Sequence, residues 1–368
     1  MLFLGNESAA ALATIILIFT GICILLWRRG PCVILSAITF VQALVATQLN
    51  MKLLTSAPFS YRFPALVTAM HFFCVLCVST LYWIYMGDWK KCLPSSMGSY
   101  SRYITTILPI ALSNPLCVVF NNKSLVYLGA GTCAIIGTLS PVTVTLLSVV
   151  LGRVLSPMAW IGILVAFLGA MVVARGEVND LRTNAGDSVV LLTGSLFALT
   201  SVLLRSVKVV LSDNLLAPAF YLAKEDAAAK APLNMSPMHI YALQAPLCLV
   251  TSLTFAFTTE SFSDAWNQLT LPVACMIFLT CVSATVLNFA GMFSLRDLGA
   301  SSQQIIGKVN TVCVAVLSMG FLGEQLPGLV VLGTVIVFLG IAIFEHSAHC
   351  EQRQGLGFKP MELMFCRN

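Results

Sequence analysis

A lysine lies among polar residues inside an apolar segment towards the C-terminal end of the chain. The segment spans 302–322, and Lys308 stands about seven residues into it, ~10 Å deep at the rise of a helix. Gln304, Asn310 and Thr311 lie within one or two turns of this lysine. An unrelieved charge inside a bilayer costs about 2.5–3.5 kcal/mol, so the lysine needs compensating groups around it. A fixed ammonium there is suited to holding a phosphate as a point charge.

Two interpretations of Lys308 stay open at this point. A lysine near a helix end commonly extends its stem to the interface, which here requires a helix that begins later than we place it. The amides and hydroxyls on the same turns favour the other interpretation, a water-filled cavity that admits an anionic substrate. We therefore predict that Lys308, Gln304, Asn310 and Thr311 contribute to a substrate site.

Three further polar residues complete the predicted site. Asn122 lies where the fourth apolar run meets the interface, and Thr138 stands three residues before Pro141. Asn288 is enclosed by apolar neighbours in a later run. Each has a structural alternative, because a buried amide often joins two helices and a hydroxyl near proline often bonds a carbonyl that the proline leaves free.

The sequence gives no support for catalysis. Its four histidines are scattered, and Cys74 and Cys77 form a lone CxxC pair inside an apolar run. We find no nucleophile–base pair, zinc-ligand spacing or phosphate-binding glycine loop. We therefore predict a protein that is not an enzyme and that needs no metal or cofactor.

The composition predicts a chain that is solvated mostly by lipid. Of its 368 residues, 58% are hydrophobic and only 10% are charged. Runs of about 17–25 apolar residues suffice to cross the ~30 Å hydrocarbon layer. We place eleven such runs near 10–27, 32–53, 64–86, 104–121, 132–151, 158–174, 187–210, 239–258, 271–293, 302–322 and 328–345.

One phrase of the sequence occurs twice, 171 residues apart. The matching pairs are Leu151 and Leu322, Gly152 and Gly323, Leu155 and Leu326, Gly162 and Gly333, Phe167 and Phe338, Leu168 and Leu339, and Gly169 and Gly340. Five further crossings lead from one copy to the other, and an odd number makes the copies face opposite ways. Inverted halves around a central site are typical of secondary transporters.

These observations predict an all-α polytopic membrane protein, a ten-helix inverted-repeat (5+5) transporter bundle with an extra N-terminal hydrophobic helix. The extra helix lies in residues 1–31 and is either an anchor or a cleaved signal. The first half covers 32–211, and 239–346 forms the second half together with 187–211. We expect a cytosolic linker at 212–238 and a cytosolic tail at 347–368.

The distribution of basic residues predicts the orientation. If the segment 27–31 is cytosolic, most of the 20 Lys and Arg residues fall on the cytosolic side, Arg205 and Lys208 among them. On this interpretation the side chain of Arg205 extends from the end of the run 187–210 towards the lipid headgroups.

Several stretches in this order resemble a known family. They are Asn122-Lys-Ser-Leu-Val-Tyr127, Pro141-Val-Thr-Val-Thr145, Tyr241-Ala-Leu-Gln-Ala-Pro246, Val286-Leu-Asn-Phe289, Ile306-Gly307 and Gly333 with Phe338-Leu-Gly340. Over residues 32–346 the chain resembles the triose-phosphate translocator and nucleotide-sugar transporter branch of the drug/metabolite transporter superfamily. The resemblance implies an antiporter of the Golgi or endoplasmic reticulum that exchanges a nucleotide sugar or a phosphorylated sugar for a nucleoside monophosphate or phosphate.

The chain departs from the pattern of that family at two positions. The usual lysine of the fourth helix is Gly137 here, and the usual lysine of the ninth helix is Asn310, with Lys308 two residues earlier. Two residues turn a side chain by about 200° on a helix, so Lys308 reaches the family's anion site only where the helix is locally unwound.

These departures leave three hypotheses. Without both of the family's lysines, the pair of basic residues that would clamp a bare phosphorylated sugar is incomplete, which favours a nucleotide-sugar antiporter. The alternatives are a phosphorylated-sugar/phosphate translocator and a transport-dead membrane scaffold. The expected partners are a small anionic sugar substrate and the lipid bilayer, without nucleic acid, and a homodimer is compatible with the sequence.

Overall fold

The computed structural model describes residues 6–27, 30–55, 58–127, 136–137, 139–151, 155–178, 188–216, 235–310, 313 and 328–353. Within these ranges every regular element is a helix. The α-helices are α1 (Asn6–Leu26), α2 (Pro31–Thr55), α3 (Pro64–Tyr85), α4 (Tyr100–Tyr127), α5 (Ser140–Val150), α6 (Pro157–Val178), α7 (Ser188–Leu215), α8 (Pro237–Thr259), α9 (Phe262–Asn267), α10 (Leu271–Leu298), α11 (Ala300–Gly307) and α12 (Gly328–Arg353). Two short 3₁₀ helices, Trp89–Cys92 and Pro94–Met97, connect α3 to α4.

Six of these helices are long and apolar enough to cross a membrane. They lie in α2, α3, α4, α7, α8 and α10. Shorter apolar helices occur at Ile15–Leu26, Ser140–Val150, Pro157–Gly169 and Val335–Phe344, within four other predicted runs. Large apolar side chains on these helices stay exposed, which is the surface that lipid covers in a membrane. The protein is therefore an integral, multi-pass membrane protein.

Contacts between helix ends show that α3 and α8 run antiparallel. The carboxylate of Glu260, which follows α8, accepts hydrogen bonds from the backbone N–H groups of Ala65 and Leu66 at 2.7 and 2.9 Å. At the other end of the pair, the ring of Trp83 lies 6.0 Å from that of His239, centroid to centroid. The start of each helix thus lies beside the end of the other.

Two other helix pairs pack in a similar way. In the α4–α7 pair, Lys208 contacts Asn114 and Ser201 contacts the carbonyl of Cys117. In the α2–α10 pair, the Asn50 amide donates to the Ser283 hydroxyl at 3.2 Å. Phe40, ten residues before Asn50, faces Gly291, which comes after Ser283. Both pairs are consequently antiparallel.

The two copies of the repeated phrase pack against each other through α6 and α12. A Cβ atom on Gly162 would lie 2.6 Å from the backbone nitrogen of Phe344, and one on Gly169 would lie 2.6 Å from that of Val337. Because later residues of α6 face earlier residues of α12, the helices run antiparallel. Leu168 and its counterpart Leu339 are each 56% exposed, so both copies turn the same face outwards. We call this contact the glycine seam.

The N-terminal helix is packed into the bundle on one side. Ile22 and Leu26 of α1 are almost fully buried, at 2% and 1% exposure, in a cluster that includes Ile306 and Ile341. Gly21 faces the ring of Phe338, in the second copy of the phrase. The segment that we expected to stand outside the repeat therefore covers part of it.

Two predicted helix ends are wrong. The run 187–210 continues as α7 to Leu215, where the backbone N–H of Ala300 donates to Asp213 at 3.3 Å, so the expected linker at 212–238 begins with helical residues. The run 302–322 is not one continuous helix, because α11 ends at Gly307. Most of the expected linker and of the segment after 310 lies outside the described residues.

Candidate substrate site

Proline creates the hydrogen-bond acceptor that holds Lys308. Pro141 has no backbone N–H, so the carbonyl four residues earlier, on Gly137, lacks its usual helical partner. The ammonium of Lys308 donates to this carbonyl at 2.8 Å. Gly137 and Lys308 are 171 residues apart, which is the offset of the repeat. Gly137, where the sequence comparison expected a lysine, therefore lies in direct contact with the lysine two residues before Asn310.

The backbone of the ninth predicted run is interrupted at this lysine. Helix α11 ends at Gly307, and the N–H of Lys308 bonds the carbonyl of Ile305 at 3.0 Å, three residues back, instead of the carbonyl four residues back. Irregular backbone at membrane depth is tolerated where it is buried in protein or lines a cavity. The helical hydrogen-bond pattern thus changes at Lys308, although its backbone angles stay helical.

Hydroxyls and an amide continue the contact between α5 and α11. Ser140 donates to Oε1 of Gln304 at 2.6 Å, and Thr145 donates to the hydroxyl of Ser301 at 3.3 Å. Together with the Lys308–Gly137 bond, these contacts proceed along α5 while they go backwards along α11. The pair is antiparallel, and we call this contact the polar seam.

Among the residues predicted for the site, the structure brings Lys308 and Gln304 together on the polar seam. Asn310 is 5% exposed, and its Oδ1 has no hydrogen-bond partner among the described residues. Asn288 lies elsewhere: it accepts from the hydroxyl of Tyr241 on α8 at 3.2 Å and donates to the carbonyl of Ala284. These bonds fit the alternative in which Asn288 joins two helices.

The other predicted site residues cannot be placed. Thr138 and Thr311 lie outside the described residues, and Asn122 belongs to the last turns of α4 without a described side chain. Their assignment to the site stays a prediction.

A second interior lysine was missed by the sequence reasoning. We counted Lys208 among the basic residues of the cytosolic side, but its ammonium donates to Oδ1 of Asn114 on α4 at 2.8 Å. Asn114 is 5% exposed. Helix α7 continues beyond the predicted end of the run to Leu215, so Lys208 is about two turns from the helix end. The sequence gave no sign of the longer helix, because the polar residues Ser212, Asp213 and Asn214 follow the apolar run.

Arg205 adds a third positive charge near the two lysines. The charge of Arg205, one turn before Lys208 on α7, acts repulsively on the ammonium groups of both Lys208 and Lys308. The hydrogen-bond acceptors of the two lysines are a neutral amide and a neutral carbonyl. Such a set of groups is suited to an anion with more than one charged oxygen.

The cavities formed by described residues are small. Two cavities lined by described residues each hold about 10 Å³, room for about one water molecule. One is apolar and lies between α1, α11 and α12, and neither is lined by Lys208 or Lys308. Among the described residues no group of three His, Cys, Asp or Glu side chains is placed to hold a metal.

Comparisons with known proteins agree with this architecture. Solute carrier family 35 member F6 of Pongo abelii and of Homo sapiens are each 23% identical over 204 residues. The alignment covers 53% of this chain and 53% of each relative, so the chain spans about half the length of these relatives. A crystal structure of a protein with 15% sequence identity has the same fold, with a TM-score of 0.63 over 86% of this chain and 98% of that one.

The family itself follows from a match over most of the chain. The model of the EamA-like transporter family, part of the drug/metabolite transporter superfamily, matches residues 32–175 and 215–345. These two ranges each contain one copy of the phrase that forms the glycine seam and one partner of the polar seam. The chain belongs to the EamA-like transporter family.

Proposed function

We propose that this chain is an antiporter that exchanges a nucleotide sugar for a nucleoside monophosphate across an endomembrane, in the Golgi or the endoplasmic reticulum. The observation that carries the proposal is the ammonium of Lys308, held at the break of a helix by the carbonyl of Gly137. A carbonyl compensates only part of a positive charge, so an entering phosphoryl group gains a strong interaction there.

The proposed architecture is ten helices in two inverted halves of five, with α1 outside the repeat. The helix pairing supports it, because α4–α7 in one part of the bundle corresponds to α10–α2 in the other. The pairs α3–α8, α5–α11 and α6–α12 each join one helix of the first half to its counterpart in the second, and all three are antiparallel. Rocking of the two halves against each other along these helix pairs would expose the site to each side of the membrane in turn.

The number of lysines at the polar seam favours a nucleotide sugar. A glycine occupies position 137, so Lys308 is the one lysine of this seam among the described residues. A bare phosphorylated sugar depends on its charges for most of its binding, whereas the base and ribose of a nucleotide sugar add neutral contacts. The amides of Gln304 and Asn310 offer such contacts nearby. Similarity to members of solute carrier family 35 supports small-molecule transport in general.

One observation favours the second candidate, a phosphorylated-sugar/phosphate translocator. Lys208 supplies a positive charge that the sequence did not place in the interior, and Arg205 is close enough to act on both lysines. If they act with Lys308, the basic clamp for a bare phosphorylated sugar is restored from a different helix.

Exchange in proteoliposomes tests the proposal. The purified full-length chain is reconstituted into vesicles preloaded with a nucleoside monophosphate, and uptake of labelled UDP-, GDP- and CMP-sugars is compared with uptake of phosphate and sugar phosphates. We expect uptake of a nucleotide sugar that depends on the preloaded monophosphate. Exchange of phosphate and sugar phosphates alone would support the second candidate. No exchange with any substrate, by protein that is monodisperse and thermally cooperative, would support the transport-dead scaffold.

A further inference from the structure

The surroundings of Lys208 consist of neutral groups that are themselves fixed. Asn114, which accepts from the lysine, has its amide nitrogen 3.9 Å from the sulfur of Cys248 on α8. Its backbone carbonyl accepts from the thiol of Cys117 at 3.0 Å. The lysine therefore contacts an amide whose orientation is determined by helix α8 and by its own helix.

A proline explains why α8 approaches α4 at this level. Pro115 has no N–H, so the carbonyl of Ala111 lacks its helical partner, and the thiol of Cys248 donates to it at 3.3 Å. Cys248 thus joins α8 to both Ala111 and Asn114. The arrangement resembles that at Lys308, where Pro141 also frees a carbonyl for a side chain of another helix.

The charge of Lys208 has no acidic partner among the described residues. The nearby acidic residue of α7, Asp213, accepts from the backbone N–H of Ala300. Arg205 has the same sign as Lys208 and opposes its charge. An ammonium that is held by one neutral oxygen and repelled by a neighbour is under-compensated, and an anion would relieve it.

A buried amide on α8, one helical turn before Cys248, lacks hydrogen-bond partners among the described residues. Both the nitrogen and the oxygen of the Gln244 side chain lack a hydrogen-bond partner among the described residues, and the residue is 0% exposed. Gln244 precedes Cys248 by four residues and so shares its face of α8, the face that contacts Asn114. An unsatisfied buried amide is costly and calls for a ligand or water in another state of the protein.

Helix packing alone does not require a charge at this place. The α2–α10 pair is the counterpart of α7–α4 in the proposed inverted repeat. Its interhelical hydrogen bond joins Asn50 to Ser283, two neutral side chains. A neutral pair therefore suffices to hold two such helices together. Lys208 carries its charge at a cost that the α2–α10 pair avoids.

Lys208 and Lys308 lie at similar depth from the same end of the bundle. The bond between Asp213 and Ala300 marks that end for both α7 and α11. At 1.5 Å per residue, Lys208 is ~8 Å and Lys308 ~12 Å from it. Helix α5 contacts both α7 and α11, through the Thr143–Ser206 and Ser140–Gln304 hydrogen bonds. One elongated substrate could thus contact both lysines once α5 moves aside.

We propose that Lys208, Asn114 and Gln244 form a second substrate subsite, which binds a phosphoryl group through the ammonium of Lys208 and a neutral polar edge of the ligand through the amide of Gln244. The proposal rests on the proposed transport function and deepens it, because it assigns the substrate two anchoring points. Asn114 holds the lysine in the closed state and releases it when the anion arrives.

Binding of inorganic pyrophosphate to the full-length chain in detergent tests the subsite. Pyrophosphate carries the charge of a diphosphate without a base or sugar, and a ligand of the folded state raises the melting temperature. The variants are Lys208→Met, Lys308→Met and the double variant, with Asn50→Ala as the matched control that breaks the neutral bond of the α2–α10 pair. We expect each lysine variant to weaken the apparent affinity about tenfold or more, the double variant to lose the shift, and Asn50→Ala to bind as the wild type does.

The same experiment has outcomes that overturn the proposal. If Lys208→Met binds pyrophosphate as tightly as the wild type, Lys208 is not a ligand group. Should that variant not fold, Lys208→Gln keeps a polar group beside Asn114 and is judged by the same criterion. Failure of the transport function is distinguishable: a shift that depends on Lys208 without any nucleotide-sugar exchange keeps the subsite and rejects the antiporter. Normal binding of pyrophosphate by both Lys208 variants, with exchange intact, rejects the subsite and keeps the antiporter.

Discussion

The glycine seam and the polar seam are both antiparallel contacts between corresponding helices, yet they are built in opposite ways. In the glycine seam, Gly162 and Gly169 bring the backbone of α6 directly onto that of α12. In the polar seam, α5 and α11 are joined through side chains, by the Ser140–Gln304 and Lys308–Gly137 hydrogen bonds. Backbone contact leaves no space for a ligand, whereas side-chain hydrogen bonds can be exchanged for bonds to water or substrate.

This difference indicates which part of the bundle stays fixed. Close van der Waals packing of small residues is what holds helices together in lipid, where no hydrophobic force does so. Interhelical hydrogen bonds contribute less, about 0.6 kcal/mol on average in one well-studied membrane protein. We infer that the molecule is held at the glycine seam and opens at the polar seam.

The largest effect is expected from a methyl group in the glycine seam. In Gly169→Ala the new Cβ would lie 2.6 Å from the backbone nitrogen of Val337, so α6 and α12 must move apart. We expect destabilisation beyond the about 1–3 kcal/mol typical of overpacking, and loss of most folded protein. Monodisperse yield on gel filtration and the melting temperature in detergent measure it. Gly137→Ala in the polar seam is the matched control, since no described atom lies within 4 Å of its Cβ; equal damage by both would remove the distinction between the seams.

Much of the fold could be predicted from apolar runs. The run 64–86 matches α3, Pro64–Tyr85, almost residue for residue, because proline and the interface fix both ends. The repeated glycines indicated related helices, and the structure places them in contact. Helix ends that depend on tertiary contacts were harder to predict. Helix α7 extends to Leu215, and near this end Asp213 accepts a hydrogen bond from the backbone N–H of Ala300 on α11.

The candidate site was predictable only in part. Lys308 and Gln304 were found because charge and amides are rare in an apolar run. The partner of Lys308 was not, because a glycine carbonyl has no side-chain signal and becomes an acceptor only through Pro141 and the packing of α5 on α11. Lys208 was counted on the cytosolic side because it is two residues before the end of the run 187–210, where a lysine ordinarily extends to the interface.

A smaller effect is expected in the polar seam. Ser140→Ala removes the hydrogen bond to Gln304, which should lower the free energy of unfolding by about 0.5–1.5 kcal/mol. If α5 and α11 separate to admit substrate, the loss also raises the population of the open state. Apparent substrate affinity should then improve, by no more than about tenfold, since a larger fraction of the protein is competent to bind. Affinity and melting temperature are measured on the same preparation, and a weakened affinity would contradict opening at this seam.

The smallest effect is expected outside both seams, at Glu260. Burial raises the pKa of this carboxyl above its ordinary value, although the N–H groups of Ala65 and Leu66 act in the opposite direction. The folded state then holds the proton more tightly than the unfolded chain, so stability falls as pH rises from the ordinary carboxyl pKa through the raised one. Glu260→Gln should flatten this part of the dependence of melting temperature on pH. A wild-type profile that rises over the same interval would contradict the assignment.

The most direct test of the account is the initial rate of exchange by Lys308→Met in preloaded proteoliposomes. The control is Lys123→Met, which removes an exposed lysine of α4 whose ammonium lies 5.8 Å from the centroid of the Phe197 ring on α7. Loss of a charge-assisted hydrogen bond to substrate costs about 1.5–3 kcal/mol, or about 10- to 150-fold in rate. We predict a loss of that size for Lys308→Met with normal folded yield, and a near wild-type rate for the control. Wild-type exchange by Lys308→Met would contradict the assignment of Lys308 as the anion-binding group.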